Sequence, residues 1–547
     1  MAKSALQIAR AAYQPKLPKA LQGAVKIEVG AATESVADQA EIAKLFPNTY
    51  GMPILSFAPG EAKEFPAINV GVILSGGQAP GGHNVISGIF DGIKSLNADS
   101  RLFGFLMGPG GLVDHKYMEL TADIIDEYRN TGGFDIIGSG RTKLETTEQY
   151  DKGLIILKEL GIKALVIIGG DDSNTNACVL AEYYAAINSG VQVIGCPKTI
   201  DGDLKNDMIE TSFGFDTACK VYSEVIGNIQ RDCNSARKYW HFIKLMGRSA
   251  SHIALECGLQ TQPNICLVSE EIEAKQLTLD DVVTEIATAV AKRAAKGDNF
   301  GTVLIPEGLI EFIPAFKLLM SELNDFLAHH EADFKAVPAN LQRQYIIDSI
   351  SKENAAVYAS LPEGVARQLT LDRDPHGNVQ VSLIETEKLL SEMVGNKLAQ
   401  WKAEGKYNGK FASLGHFFGY EGRCAAPSNF DADYCYSLGF NAAKLIGEGK
   451  TGYMSSIRNT TAPAAEWIAG GVPVTMMMNM ERRHGEMKPV IQKALVKLDG
   501  APFLELVKNR AQWAEETCYI YPGPIQYFGP TEVCDQPTRT LQLEKGL

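Results

Sequence analysis

Three short segments of this 547-residue chain carry residue types that handle phosphate. Ser75-Gly-Gly-Gln-Ala-Pro-Gly-Gly-His-Asn84 follows an apolar run and opens a helix, so its glycines let backbone N–H groups face an anion at a helix N-terminus. Gly169-Gly-Asp-Asp-Ser-Asn-Thr-Asn176 follows the strongest apolar run of the chain and offers two carboxylates, Asp171 and Asp172, suited to Mg²⁺ carrying phosphates. Pro197-Lys-Thr-Ile-Asp-Gly-Asp203 adds an ammonium, Lys198, and two more carboxylates, Asp201 and Asp203. Phosphoryl transfer needs a carboxylate that accepts the proton of the attacking hydroxyl and further groups that offset charge on the transferring phosphate, and this segment can supply both.

Each segment alone has a plainer reading. The first is also a tight strand-to-helix turn, and it is neither a Walker A motif nor the dinucleotide fingerprint G-x-G-x-x-G. Asp171 or Asp172 could cap a helix. Asp201-Gly-Asp203 could be a solvated turn. Three such turns after three apolar runs, at positions 75, 169 and 197, carry the phosphoryl-transfer reading jointly.

The elements that must position these residues are short strands alternating with helix-length amphipathic stretches. The runs 68–74, 165–168, 191–195, 242–246, 265–268 and 303–305 are apolar without a period of two, as expected for parallel strands covered by helices on both faces. In such sheets ligands gather at the carboxyl ends of the strands. Residues 1–66 carry mixed helical and turn signals and read as an extension wrapped on the core. Between Phe312 and Tyr407 the strand rhythm gives way to helical periods at 315–327, 340–351 and 385–402, a mainly helical insertion at about 313–407. The tail from Pro489 to Trp513 also reads as helical.

Composition sets the class. With 45% hydrophobic and 21% charged residues the chain can bury a large core, and its length favours two or more lobes. The 65 acidic against 52 basic residues give a net charge of -13, which argues against a nucleic-acid or anionic-membrane partner. The 10 cysteines show no zinc spacing and read as reduced, mostly buried thiols. No secretory signal or long apolar run is found, so a cytoplasmic location is expected.

The segments Ser75-Gly-Gly, Gly169-Gly-Asp, Thr199-Ile-Asp-Gly-Asp, Met246-Gly-Arg, Pro306-Glu-Gly and Leu414-Gly-His resemble, in order, those of the phosphofructokinase superfamily. The extension and the insertion are similar to those of its long pyrophosphate-dependent members. The resemblance implies an α/β fold of two Rossmann-like lobes with mainly parallel sheets. It would divide the chain into an extension (1–66), a phosphoryl-donor lobe (67–212), a sugar-phosphate lobe carrying the insertion (213–416), and a return segment completing both lobes and ending in C-terminal helices (417–547). The implied reaction is reversible phosphoryl transfer from pyrophosphate to the 1-hydroxyl of fructose 6-phosphate, with Mg²⁺ as cofactor.

Carried onto this sequence, the resemblance makes Gly76 a contact of the donor, Asp171 a Mg²⁺ ligand, Asp201 the proton acceptor and Asp203 a metal or orienting group beside it. Arg141, in Gly138-Ser-Gly-Arg-Thr-Lys143, falls where a cation meets the transferring group, with a plain surface arginine as the alternative. Thr199 and Ile200 accompany Asp201 on the substrate. Met246, Gly247 and Arg248 form the substrate-binding strand end, Glu307 holds sugar hydroxyls, and Tyr420, Glu421, Gly422 and Arg423 clamp the 6-phosphate, for which the arginine fork is suited. His416 is either a sugar contact or a satisfied core residue. Lys238 and Tyr239 correspond to residues offered to a neighbouring subunit, implying an oligomer and, most simply, a homodimer.

Asp172 and Lys198 bear on the donor. ATP-dependent members of the resembled family usually carry glycine at both positions. A carboxylate at 172 would repel an α-phosphate, while the Lys198 ammonium can pair with a terminal phosphate of pyrophosphate, so the pair favours pyrophosphate by exclusion. An ATP-dependent 6-phosphofructokinase is disfavoured by these two residues, and a non-catalytic regulatory subunit is disfavoured by the intact Thr199-Ile-Asp-Gly-Asp motif. NAD kinase and lipid kinase relatives share Gly-Gly-Asp but leave Met246-Gly-Arg and Tyr420-Glu-Gly-Arg unexplained.

Overall fold

The computed structural model describes residues 3–370, 383–483 and 486–525, so parts of the expected insertion (371–382) and return segment (484–485 and 526–547) lie outside the described residues. The chain divides into two compact units. The first contains Met1–Ala218 and Tyr420–Ala494, the second Cys219–Gly419 and Leu495–Pro524.

In chain order the first unit builds β1 (Val25–Ala32), β2 (Pro53–Pro59), β3 (Asn69–Leu74), β4 (Arg101–Phe105), β5 (Tyr117–Glu119), β6 (Ile162–Gly169), β7 (Gln192–Thr199) and the short β8 (Phe213–Gly214). The second unit contributes β9 (Trp240–Leu245), β10 (Ile265–Cys266), β11 (Gly301–Pro306) and β12 (Ser413–Phe418). The chain then returns to the first for β13 (Tyr453–Arg458), β14 (Ile468–Pro473), β15 (Met478–Arg483) and β16 (Glu486–Ile491).

The first unit is organised on a 10-stranded sheet ordered β1-β2-β14-β13-β7-β6-β3-β4-β5, with β8 beside β7. Its centre, from β13 to β4, is parallel. Three of those strands, β3, β6 and β7, are apolar runs seen in the sequence, and β3 and β6 are buried almost throughout, as sheets covered on both faces require; β4 and β13 are core strands that the apolar runs do not mark. The flanks are antiparallel, and here the extension departs from expectation. Residues 25–32 and 53–59 are strands, and β2 joins the sheet through β14. β1 exposes most of its side chains, so its sequence lacks the apolar run that marks a core strand. Glu182 fastens the extension by accepting hydrogen bonds from the Asn48 N–H and the Thr49 hydroxyl.

The second unit has a parallel four-stranded sheet ordered β10-β11-β9-β12. The helices Pro314–Ala336 and Thr386–Ala403 of the insertion share its core: Phe316, Leu319, Leu389 and Val394 pack in one cluster with Trp240, Phe242 and Val303. The expected helical tail is corrected at its start. Residues 486–491, including Pro489, pair with β15 as a hairpin, and the helix spans Ala501–Glu515. Among the described residues nine cysteines are free, and no helix is long and apolar enough to cross a membrane.

Candidate active site

In the first unit the three expected turns come from three adjacent parallel strands. Leu74 pairs with Ile168 and Gly169 with Pro197, so β3, β6 and β7 end level with one another. The Ser75 N–H donates to the Ile168 carbonyl at 2.8 Å, and the Gly76 N–H to the Gly140 carbonyl at 2.9 Å. Gly76 has φ +86°, a conformation side chains rarely adopt. A Cβ there would stand 3.2 Å from Lys198 Nζ, and one on Gly77 would stand 2.8 Å from Arg423 Nη2. The glycines therefore leave room for two cations on the turn. Arg423 Nε also donates to the Gln78 carbonyl at 2.8 Å.

This geometry narrows the anion reading of the first segment. Residues 79–90, which hold the N-terminus of the helix Gly82–Leu96, are buried throughout. An anion has access to the half-buried Gly76-Gly77-Gln78 turn rather than to the helix end.

Asp171 and Asp172 are the first two residues of the helix Asp171–Ala186, whose cap is Gly170, so neither aspartate is the N-cap. At these positions they face the positive end of the helix dipole. Asn174 Nδ2 donates to the Gly169 and Gly170 carbonyls, and the Ser173 hydroxyl donates to Ser75 Oγ at 2.8 Å, tying the second turn to the first. Asp172 is exposed and lies 3.8 Å from Lys143 Nζ. After β7, the Asp201 N–H donates to Thr199 Oγ1 at 3.0 Å, and Ile200 is fully buried beneath the turn.

The charges belong to one neighbourhood. Burial pushes the Lys198 ammonium down to about 8, helped by repulsion from Arg423 and, more weakly, from Arg141, while Asp201 and Asp171 act in the opposite sense. Burial likewise pushes the Asp203 carboxyl up to about 7, with Asp201 and Asp171 adding repulsion and Lys493 opposing it. The structure thus brings together Gly76, Asp171, Lys198, Asp201, Asp203 and Arg423, with exposed Arg141 within electrostatic reach. Tyr420 and Glu421 are exposed on the short helix before Arg423, and Gly422 is buried. Lys493, which no motif marks, also belongs to this group.

The second unit gathers its own set at the carboxyl end of β9. Gly247, with φ +119°, donates its N–H to Glu307 Oε2 at 2.9 Å, and the Glu307 N–H donates to the Leu245 carbonyl. Glu307 is buried, as a carboxylate held by backbone donors can be. Met246 is buried, and its N–H donates to the Phe418 carbonyl. Arg248 forks onto Glu311 through two hydrogen bonds of 3.2 and 3.0 Å.

Lys238 and Tyr239 stand at the opposite end of β9. Its six residues span about 20 Å, so these two side chains do not join Met246, Gly247 and Arg248. The Lys238 ammonium lies 5.0 Å from the centroid of the Tyr239 ring. His416 stacks on His241, with Nε2 2.9 Å from His241 Nδ1. Its ring is occupied by a packed neighbour, as in the structural alternative for this residue.

The family described as phosphofructokinase matches residues 69–446. A Porphyromonas gingivalis protein named Pyrophosphate--fructose 6-phosphate 1-phosphotransferase is 70% identical, the alignment covering all of both chains. A Treponema pallidum protein of the same name is 55% identical over all of this chain and 98% of its own. Among solved structures, the pyrophosphate-dependent phosphofructokinase of Nitrosospira multiformis superposes with a TM-score of 0.55 at 16% identity, covering 86% of this chain and 96% of that one. With the three glycine-marked turns side by side and matches running the length of the chain, this protein belongs to the phosphofructokinase family.

Proposed function

We propose that this chain transfers a phosphoryl group from pyrophosphate to the 1-hydroxyl of fructose 6-phosphate, reversibly, giving fructose 1,6-bisphosphate and phosphate. The observation that carries the choice of donor is the Lys198 ammonium lodged on the Gly76 turn while Asp172 occupies the first turn of the adjoining helix. A compact doubly charged phosphate end fits a cation at that place. A nucleoside triphosphate would have to bring its α-phosphate toward a carboxylate. The full-length relatives named for this activity support the same choice.

In this reading Asp201 takes the proton of the sugar hydroxyl, Gly76 and Lys198 hold the donor, and Arg141 and Arg423 offset phosphate charge. Asp171, with Asp203 beside it, would hold Mg²⁺. Among the described residues no three His, Cys, Asp or Glu side chains are grouped to hold an ion by themselves, which suits a Mg²⁺ that keeps its waters and rides on one or two carboxylates and the donor's oxygens. The repulsion that Asp201 and Asp171 exert on Asp203 is the local feature a cation would relieve. When bound it would neutralise charge on the transferring group. Thr199, Ile200, Met246, Gly247, Arg248, Glu307, Tyr420, Glu421 and Gly422 are assigned to fructose 6-phosphate, and Lys238 and Tyr239 to the sugar phosphate of a second copy in a homodimer. The cytoplasm is the proposed location.

The test is a coupled assay of the purified chain with fructose 6-phosphate and Mg²⁺, given pyrophosphate or ATP separately, and with fructose 1,6-bisphosphate and phosphate for the reverse direction. Turnover with pyrophosphate in both directions is expected. Strong use of ATP without use of pyrophosphate would overturn the reading, and a chain inactive with both would point to a regulatory role.

A further inference from the structure

The donor carboxylates have a cation that lies outside every motif. Lys493 follows β16 by two residues, and its Nζ stands 3.7 Å from Asp171 Oδ2. Asp203, Asp172 and Asp201 also act on its charge. Its backbone is built into place from three directions. The Ile491 N–H donates to Thr175 Oγ1 at 3.1 Å, the Gln492 N–H to the Met477 carbonyl at 2.8 Å, and the Ala494 N–H to the Asp203 carbonyl at 2.7 Å. The last of these joins the segment directly to the Asp201-Gly-Asp203 turn.

Lys198 and Lys493 share two carboxylates, since Asp171 and Asp201 interact with both. The two ammonium groups differ in freedom. Lys198 is buried in β7, whereas the Lys493 side chain keeps 36% of its surface exposed and can turn. A lysine head is a compact charge with three rotatable donors on a flexible stem, so exchanging a carboxylate partner for a phosphate oxygen requires only side-chain rotation.

We propose that Lys493 is a second pyrophosphate-binding cation, its ammonium beside Asp171 placed to meet the donor's phosphate oxygens. The proposal rests on the pyrophosphate reading above. Pyrophosphate carries charge on both of its phosphates, and Lys198 on the Gly76 turn meets only part of it. Lys493, arriving from the hairpin side of the carboxylates, adds to the charge that Lys198, Arg141 and Arg423 bring. The role also gives the β15–β16 hairpin a function, because its pairing fixes where Lys493 leaves the strand.

The experiment compares the wild type, Lys493→Met and Lys493→Arg in two measurements. Calorimetric titration of pyrophosphate with Mg²⁺ present and no sugar phosphate reads donor binding, and steady-state kinetics read the KM of each substrate. A charge-assisted hydrogen bond predicts roughly 10- to 100-fold weaker pyrophosphate binding in Lys493→Met, with a matching rise in pyrophosphate KM. Fructose 6-phosphate KM and melting temperature should stay close to wild type, and Lys493→Arg should recover most of the affinity. Unchanged pyrophosphate affinity in Lys493→Met overturns the proposal. So does a loss shared by both substrates, with a lower melting temperature and no recovery by arginine, since that pattern marks a structural residue. A wild type that binds ATP and not pyrophosphate removes the underlying reading and this proposal with it.

Discussion

Asp201 is held by its own turn, its N–H on Thr199 Oγ1 and its carboxylate beside Asp203 and Lys198. Of the two carboxylates in the Pro197-Lys-Thr-Ile-Asp-Gly-Asp203 segment only Asp201 is partly exposed, because Asp203 is buried. Asp201→Asn keeps the shape and removes the proton acceptor, so turnover should fall at least ~10²-fold with fructose 6-phosphate binding intact. Near-normal turnover would reject the assignment. Donor choice belongs to this scale as well. Asp172→Gly together with Lys198→Gly should weaken pyrophosphate use and admit ATP, and kinetics with each donor check it; unchanged pyrophosphate constants would sink the idea. These residues were legible in sequence because each lies at or just after a strand end beside a glycine-marked turn. Lys493 was not, since it follows a hairpin in a stretch without any such mark and reaches the carboxylates through the hydrogen bonds of Ile491, Gln492 and Ala494.

At the scale of elements, β3, β6, β7, β9, β10 and β11 could be read from their apolar runs, whereas the buried β4 and β13 could not, since Gly104 breaks the short run of β4 and Ser455-Ser456 that of β13. β1 is largely exposed and β12 is only partly covered, so neither carries a continuous hydrophobic signal. Pro489 suggested a helix start and stands instead in the two-stranded hairpin, where an edge tolerates the missing N–H. The insertion is joined to the β9 sheet by a buried ion pair that periodicity cannot reveal. Lys244 on β9 lies 3.5 Å from Glu387, donates to the Ile384 carbonyl at 2.8 Å and stacks on Phe417. Lys244→Met would strand the Glu387 carboxylate in the core, and a loss of about 3–5 kcal/mol is expected from such one-sided removals. Chemical denaturation monitored by fluorescence checks it, and an unchanged midpoint would show that the pair is not holding the insertion.

The same sheet carries the stacked His241 and His416 pair. Burial lowers both rings, and His416 lowers His241 further, to about 4. The unfolded rings take up protons near 6.5, whereas the folded pair resists, so stability should decline as pH falls from about 6.5 toward 4. Melting temperature against pH should be flatter in His241→Phe over that window, and parallel curves would remove the pair as the cause.

For the whole molecule the question is how many copies complete the reaction. Lys238 and Tyr239 are about 20 Å along β9 from Met246-Gly-Arg248, and the role proposed for them is at the sugar phosphate of a second copy. An isologous dimer would repeat that exchange on both sides. Single-chain activity cannot distinguish this from an ordinary surface lysine, but complementation can. Lys238→Met and Asp201→Asn should each be nearly inactive alone. In a dimer assembled from both after dissociation and remixing, one site regains an intact Asp201 from one copy and an intact Lys238 from the other. Random pairing makes half the dimers mixed, each with one working site of two, so recovery should approach about a quarter of wild-type activity. Failure of the mixture to exceed the sum of its parts, with mixed dimers demonstrated by mass, would confine Lys238 to its own chain.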